Sequence, residues 1–180
     1  MSKGLTIIDK DYTRWVEDLS VRYRQSQIKA AVRVNQELLK YYWELGRDIE
    51  EMHVEERWGQ SVIKNLSVDL QLKNPNSTGL SRTNIYYAKK FYLLYSQYLK
   101  VVPQVVGQLE NGKAQQAVKD SPEIVPQPVG QLEEMLFSIP WGHHRYLIDR
   151  YGTEPAKAFF YVKKTMQEGW SRDVLLNFMD

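Results

Sequence analysis

Apolar residues between Ile28 and Met52 recur at alternating steps of three and four positions, and this spacing constrains the fold more than any other feature of the sequence. It is typical of one long helix whose apolar seam is buried against a second helix. The seam consists of Ile28, Ala31, Asn35, Leu38, Tyr42, Leu45, Ile49 and Met52. A single Asn in such a seam often fixes register or oligomeric state. We favour a partner helix within the same chain, and a homodimer through the long helix is the alternative.

Helical spacing continues on both sides of this seam. Trp15, Leu19 and Tyr23 predict an earlier helix that Asp9 or Asp11 can cap. Further helices are predicted from Ser61, from Ser81, over 141–151, from Pro155 to Gly169, and from Ser171 through Phe178. The apolar side of the helix from Ser81 is predicted to carry Ile85, Ala88, Phe91, Tyr92 and Tyr95. The predicted fold class is therefore mainly α, a helical bundle with a helix-turn-helix-like core.

The stretch 99–138 interrupts these patterns. Pro103, Pro122, Pro126 and Pro128, with three glycines, leave little room for a long regular element, so we predict a long irregular loop. Residues 102–110 nearly repeat as 125–133, and the two copies could form a small β-hairpin. The chain is predicted to be a single domain in three parts: long helices with the helix-turn-helix over 9–98, a variable loop over 99–138, and C-terminal helices over 139–180.

Composition excludes several kinds of chemistry. The chain has no cysteine, which excludes disulfides, thiolate nucleophiles and cysteine-ligated metals. No run of about 18 apolar residues suggests a membrane span, and nothing resembles an export signal. We therefore expect a cytoplasmic protein without a membrane partner.

Charge is distributed unevenly along the sequence, although the net charge is only +2. Between Glu44 and Arg57 there are six acidic residues and two basic ones, a composition that would repel phosphate. Between Leu70 and Leu109 there is no acidic residue, and five Lys or Arg would attract phosphate. The helix predicted from Ser81 lies within this acid-free stretch.

The outward side of that helix is the candidate nucleic-acid surface. Arg82 can contact guanine or phosphate, while hydroxyl and ammonium groups that follow can reach the backbone. For Asn84, capping or packing is favoured over adenine recognition. The predicted DNA-binding residues are Arg82, Thr83, Tyr86, Lys89, Lys90 and, from a later helix, Arg145. The competing interpretation is that these residues form only the solvated face of an amphipathic helix.

His143 and His144 begin the helix that contains Arg145. Adjacent residues point apart on a helix, so the pair lacks the spacing of two ligands to one metal. We predict instead that one histidine is buried and hydrogen-bonded. No catalytic residue, cofactor or small-molecule ligand is predicted for these 180 residues.

Five short motifs, in this order, resemble the YhcG-type N-terminal domain. They are Trp43-Glu44-Leu45-Gly46-Arg47-Asp48-Ile49, Trp58-Gly59, Gly79-Leu80-Ser81-Arg82-Thr83-Asn84 with Phe91-Tyr92, Ile139-Pro140-Trp141-Gly142-His143-His144, and Gly169-Trp170-Ser171-Arg172. The resemblance implies a winged-helix or helix-turn-helix DNA binder that precedes a nuclease domain of the PD-(D/E)XK superfamily. It also implies that this nuclease domain, with its Mg²⁺, lies outside the 180 residues.

Together these features predict a DNA-binding module that targets such a nuclease. The alternative is a protein-interaction or dimerisation module that uses the 28–52 seam.

Overall fold

The computed structural model describes residues 10–110 and 129–179, with side chains described for 10–99 and 130–179. Within these ranges the chain is entirely α-helical in its regular structure, with no strand, which confirms the mainly α fold class. The helices are α1 (Lys10–Glu51), α2 (Val54–Trp58), α3 (Val62–Lys73), α4 (Arg82–Glu110), α5 (Val129–Ser138), α6 (Trp141–Tyr151), α7 (Pro155–Glu168) and α8 (Arg172–Met179).

A single helix, α1, spans the region in which two separate helices were predicted. Its buried residues are Leu39, Tyr42, Gly46 and Ile49, all in the C-terminal half. Within the predicted seam, Tyr42 and Ile49 are therefore buried within the chain and Asn35 and Leu45 are half-buried, in agreement with the favoured interpretation. Asn35 Nδ2 donates to the carbonyl oxygen of Ile139 at 3.1 Å, so this Asn holds α1 to the segment before α6.

The remaining members of the seam are exposed to solvent. Burial of the seam as a whole was expected, but Ile28, Ala31, Leu38 and Met52 lie outside the core. Leu38 gives way to the adjacent Leu39, which is buried where the helix meets α4 and α5, whereas Ile28 and Ala31 lie in the N-terminal half of α1, in which every residue over 10–34 is exposed.

Helix α4 is the centre of the bundle and packs against α1, α3, α6 and α7. All five apolar positions predicted for its inner side are buried, which confirms that prediction: Ile85, Ala88, Phe91, Tyr92 and Tyr95. Helices α1 and α4 approach closely at Gly46, where an added Cβ would lie 2.2 Å from the carbonyl oxygen of Ala88. Only a residue without a side chain permits this crossing.

The structure corrects the extent of the irregular loop predicted for 99–138. Helix α4 continues through Pro103 to Glu110, and α5 occupies Val129–Ser138. One proline removes one backbone donor, and a long helix anchored by a buried face can absorb that loss. Leu132, Leu136 and Ile139 are buried at steps of four and three, a helical spacing that the nearby prolines obscured.

The hairpin predicted for the near-repeat is wrong for its described residues. The first copy, 102–110, lies within α4, and residues 129–133 of the second copy lie within α5. The rest of the second copy lies outside the described residues.

The segment between α3 and α4 is fixed by hydrogen bonds from buried side chains. Tyr42 Oη donates to the carbonyl oxygen of Gly79 at 2.9 Å, and Ser67 Oγ donates to that of Leu80 at 2.8 Å. Ser81 Oγ then accepts from the backbone N–H of Asn84 at 3.2 Å and caps α4, the helix predicted to start at Ser81. The start of α4 is thereby held rigidly on α1 and α3.

Candidate nucleic-acid interface

Among the described side chains of α4, those over 82–99, the exposed ones lie mainly in the first turns, because every side chain over 91–99 except that of Gln97 is buried or half-buried. Thr83, Tyr86 and Lys90 follow one another at steps of three and four, so they share one face. Asn84 faces the core side, where its Oδ1 accepts from Trp141 Nε1 at 3.3 Å, in agreement with the packing role favoured for it.

Tyr87 joins this face of α4 to α6. The guanidinium carbon of Arg145 lies 4.7 Å from the centre of the Tyr87 ring. The ammonium nitrogen of Lys90 lies 4.8 Å from the centre of the Tyr86 ring and 5.8 Å from that of Tyr87. Such contacts hold a cation over an aromatic ring with about 0.5 to 2 kcal/mol each while leaving its N–H donors available.

A cleft of about 240 Å³ extends this arrangement from α6 toward α8. Its lining residues are Gly142, Arg145, Tyr146, Asp149 and Arg172. We call Tyr86, Tyr87, Lys90, Arg145 and Arg172 together the Tyr87 surface. Three of these five side chains are cationic, and they come from three helices.

Asp149 is the acidic residue of this cleft, and its carboxylate is engaged by Tyr87. Tyr87 Oη lies 2.7 Å from one carboxylate oxygen and 2.8 Å from the other, and it donates its hydrogen to them. This hydrogen bond raises the pKa of the Tyr87 hydroxyl, while Arg145 partly opposes the shift. Asp149 therefore fixes the ring on which Arg145 and Lys90 rest.

Three of the predicted site residues lie outside the Tyr87 surface: Arg82, Thr83 and Lys89. Thr83 is on the face of α4 that carries Tyr86 and Lys90. The side chain of Lys89 is only 17% exposed; it forms an ion pair with Glu55 and lies 3.8 Å from Glu50. Arg82 is exposed seven residues before Lys89 and thus on the same flank of α4. The acid-rich stretch 44–57 packs beside this flank, and it neutralises Lys89.

Three residues that belong to the site in the structure, Tyr87, Asp149 and Arg172, were not predicted from the sequence. Tyr87 and Lys90 are three positions apart on one helix, so their proximity could have been predicted from spacing alone. Asp149 and Arg172 reach the site only because α6 packs on both α4 and α8. No local pattern carries that information.

Both histidines at the start of α6 are buried, where one had been expected. His143 Nε2 lies 3.0 Å from the carbonyl oxygen of Trp170, and His144 Nε2 lies 2.7 Å from that of Leu136. Burial lowers the pKa of His144 to about 3. Within the described residues, no three His, Asp or Glu side chains are grouped as a metal site would require. The histidines thus position α6, and with it Arg145.

The described helices define an all-α domain that carries a surface of cations supported by aromatic rings. None of these helices is both long and apolar enough to cross a membrane. Residues 18–180 match the family model of the DUF1016 N-terminal domain, and the chain belongs to this family, that of the YhcG-like proteins. Comparisons with curated proteins and with solved structures gave no match.

Proposed function

We propose that this domain binds DNA through the Tyr87 surface and targets the nuclease domain that YhcG-type proteins carry. The observation that supports this most directly is the placement of Lys90 and Arg145 on the ring of Tyr87, from two different helices. Cations fixed in this way lose little conformational freedom when they contact phosphate. Such a role places the protein in the cytoplasm, together with the DNA.

The chemistry of the surface fits a nucleic-acid backbone. Guanidinium groups donate pairs of hydrogen bonds to phosphate oxygens, and Arg145 and Arg172 line one cleft. Tyr86 is 46% exposed beside Lys90, so its hydroxyl can donate to a further phosphate. Among the described side chains of α4, the exposed ones in its first turns that can contact bases are Thr83 and Tyr86, with Arg82 on the adjoining flank.

Replacing Lys90 or Arg145 by alanine is expected to weaken DNA binding about five- to tenfold at 0.1 M salt, on every sequence tested. Each change should also make the slope of log K against log salt shallower by about 1, since one phosphate contact is lost. Fluorescence anisotropy with labelled duplex, branched and single-stranded DNA at several salt concentrations measures both effects. The preferred probe identifies the substrate class of the whole protein.

Two other lysines serve as matched controls. Lys157 lies 4.7 Å from the centre of the Tyr151 ring, outside the Tyr87 surface, so Lys157→Ala removes the same kind of cation elsewhere. Lys89→Ala removes a lysine that is already paired with Glu55. Both variants should bind within twofold of the unaltered protein. Equal losses in Lys157→Ala and Lys90→Ala, or binding that does not respond to salt, would contradict the proposal.

A further inference from the structure

A larger pocket, of about 380 Å³, lies beside the start of α4, between α1 and the segment that joins α3 to α4. We call it the Tyr41 pocket. Its volume falls within the range of pockets that bind small organic groups. None of its lining residues was predicted as part of the nucleic-acid site. They are Leu38, Tyr41, Tyr42, Asn74, Ser77, Thr78, Gly79 and Leu80.

The α1 side of the Tyr41 pocket is aromatic and apolar. The Tyr42 ring is buried, and its hydroxyl already donates to the carbonyl oxygen of Gly79. Tyr41 is 40% exposed, so part of its ring is accessible to a ligand, and the apolar side chain of Leu38 lies beside it. A flat group that enters the pocket can therefore stack on an aromatic ring.

The opposite side of the pocket is polar but carries no charge. Asn74 Nδ2 donates to the carbonyl oxygen of Leu70, and Ser77 Oγ donates to that of Asn74. Among the described residues, Asn74 Oδ1 and the hydroxyl of Thr78 have no hydrogen-bond partner. They remain able to bind the polar edge of a ligand. An aromatic side, a polar side and no charge together suit a nucleobase, whereas a phosphate would find no cation here.

Cations lie on both sides of this neutral segment. Lys73 ends α3 immediately before the lining residues 74–80, and Arg82 begins α4 shortly after them. Both side chains are exposed. On α1, the charge of Glu37 is balanced by its ion pair with Lys40. A strand that places one base in the pocket can therefore set the phosphates before and after that base against Lys73 and Arg82.

The Tyr41 pocket adjoins the Tyr87 surface. The ring centres of Tyr42 and Trp141 are 4.5 Å apart, and Gly142, the residue after Trp141, lines the cleft of Arg145. Trp141 also donates to Asn84 in the first turn of α4. The pocket and the cleft are therefore neighbours, linked by two rings in contact.

We propose that the Tyr41 pocket binds an unpaired nucleobase of the DNA that contacts the Tyr87 surface. The inference rests on the proposed function and narrows its substrate class to DNA that contains unpaired bases. A paired base can enter a protein pocket only after it leaves the stack, and an unpaired base avoids most of that energetic cost. Because stacking on tyrosine depends little on which base is present, sequence preference should be weak.

Fluorescence anisotropy with three labelled duplexes tests the inference. One duplex is fully paired, one has a single bulged base, and one has an abasic nucleotide at the bulge. The bulged base should improve affinity about tenfold over both other probes, and Tyr41→Ala should remove most of this gain while leaving the paired duplex within twofold. Equal affinity for the three probes, or an equal loss in Tyr41→Ala on all of them, would overturn the inference.

Tyr12→Ala is the matched control for this substitution. Tyr12 is 44% exposed on the same uninterrupted helix, roughly 43 Å from Tyr41 along its axis. The variant should keep the full preference for the bulged base. If it lost this preference as Tyr41→Ala does, the effect would not come from the pocket and the inference would be wrong.

Photocrosslinking locates the base directly. With 5-iodouracil as the bulged base, irradiation of the complex should attach the DNA to Tyr41, and peptide mass spectrometry identifies the attached residue. Attachment only to aromatic residues outside the Tyr41 pocket would contradict the inference.

The inference and the proposed function fail in different ways. Lys90→Ala should weaken binding to paired and bulged probes alike, because phosphate contacts do not depend on base pairing. If the duplex binds and responds to Lys90→Ala but the bulged base adds nothing, only the base pocket is wrong. If no probe binds, both proposals are wrong.

Discussion

Replacing Gly46 by alanine is expected to lower the free energy of unfolding by about 3 kcal/mol or more, and so to leave much of the protein unfolded at 37 °C. The added Cβ would lie 2.2 Å from the carbonyl oxygen of Ala88 and 2.9 Å from the Cβ of Tyr92. Both obstacles belong to α4, the central helix, so relief requires that α1 and α4 move apart. That movement opens the core around Phe91, which is fully buried.

Gly130→Ala provides the matched control for this substitution. Gly130 lies in α5, and a Cβ added there meets no atom within 4 Å. The higher helix propensity of alanine should leave the protein unchanged or more stable by up to about 1 kcal/mol. Urea denaturation followed by circular dichroism compares the two variants. If Gly46→Ala were as stable as Gly130→Ala, the close helix crossing would be incorrect.

A second large effect is expected as the pH is lowered, because His144 is buried without charge. Its Nε2 faces the carbonyl oxygen of Leu136, which can only accept, so Nε2 carries the hydrogen. Nδ1, 3.3 Å from Tyr95 Oη, is then the acceptor of the tyrosine hydrogen. Burial lowers the pKa of His144 to about 3, against an ordinary value near 6.5 in the unfolded chain.

The direction of the effect follows from these two pKa values. Between pH 6.5 and 3 the unfolded chain binds a proton at His144 that the folded protein does not, so the stability falls as the pH falls. The slope from this residue approaches about 1.4 kcal/mol per pH unit within that window, and above pH 6.5 its contribution is constant.

Urea denaturation at pH 7, 6, 5 and 4 measures this slope. Carboxylates also titrate toward pH 4 and add to the measured slope. The contribution of His144 to the slope is therefore the slope of the unaltered protein minus that of His144→Gln, whose side chain cannot titrate. His144→Gln should be less stable at pH 7 and should have a shallower slope. Parallel curves for His144→Gln and the unaltered protein would argue against a neutral buried histidine.

The sequence was a good guide wherever a feature depends on neighbours along one helix. The inner side of α4 was predicted correctly because a buried helical face must be apolar at steps of three and four. The positions of Ser81 and Gly169 were also predicted from local chemistry: one side chain caps α4, and the other residue ends α7 with a φ of 64°.

Features that depend on which elements meet were not predictable in this way. Lys89 and Lys90 are adjacent and identical in the sequence, yet one is paired with Glu55 while the other lies over Tyr86. The difference arises because α1 and α2 cover one flank of α4 and leave the other open. Arg172 likewise joins Arg145 only through the packing of α8 on α6. The predictions that the Tyr87 surface binds DNA and that α1 mediates dimerisation remain predictions.

Because α1 is one uninterrupted helix, the angle about its axis between its exposed N-terminal half and its buried C-terminal face is fixed. One helix carries both the exposed apolar residues over 10–34 and the face packed in the bundle, so their relative angle depends on the number of residues between them. Deleting five residues near Val34 would rotate the N-terminal half of α1 relative to the buried face by about 140°, whereas deleting seven would change this angle by only about 20°. The length of this helix therefore determines how anything that binds its N-terminal half is oriented relative to the Tyr87 surface.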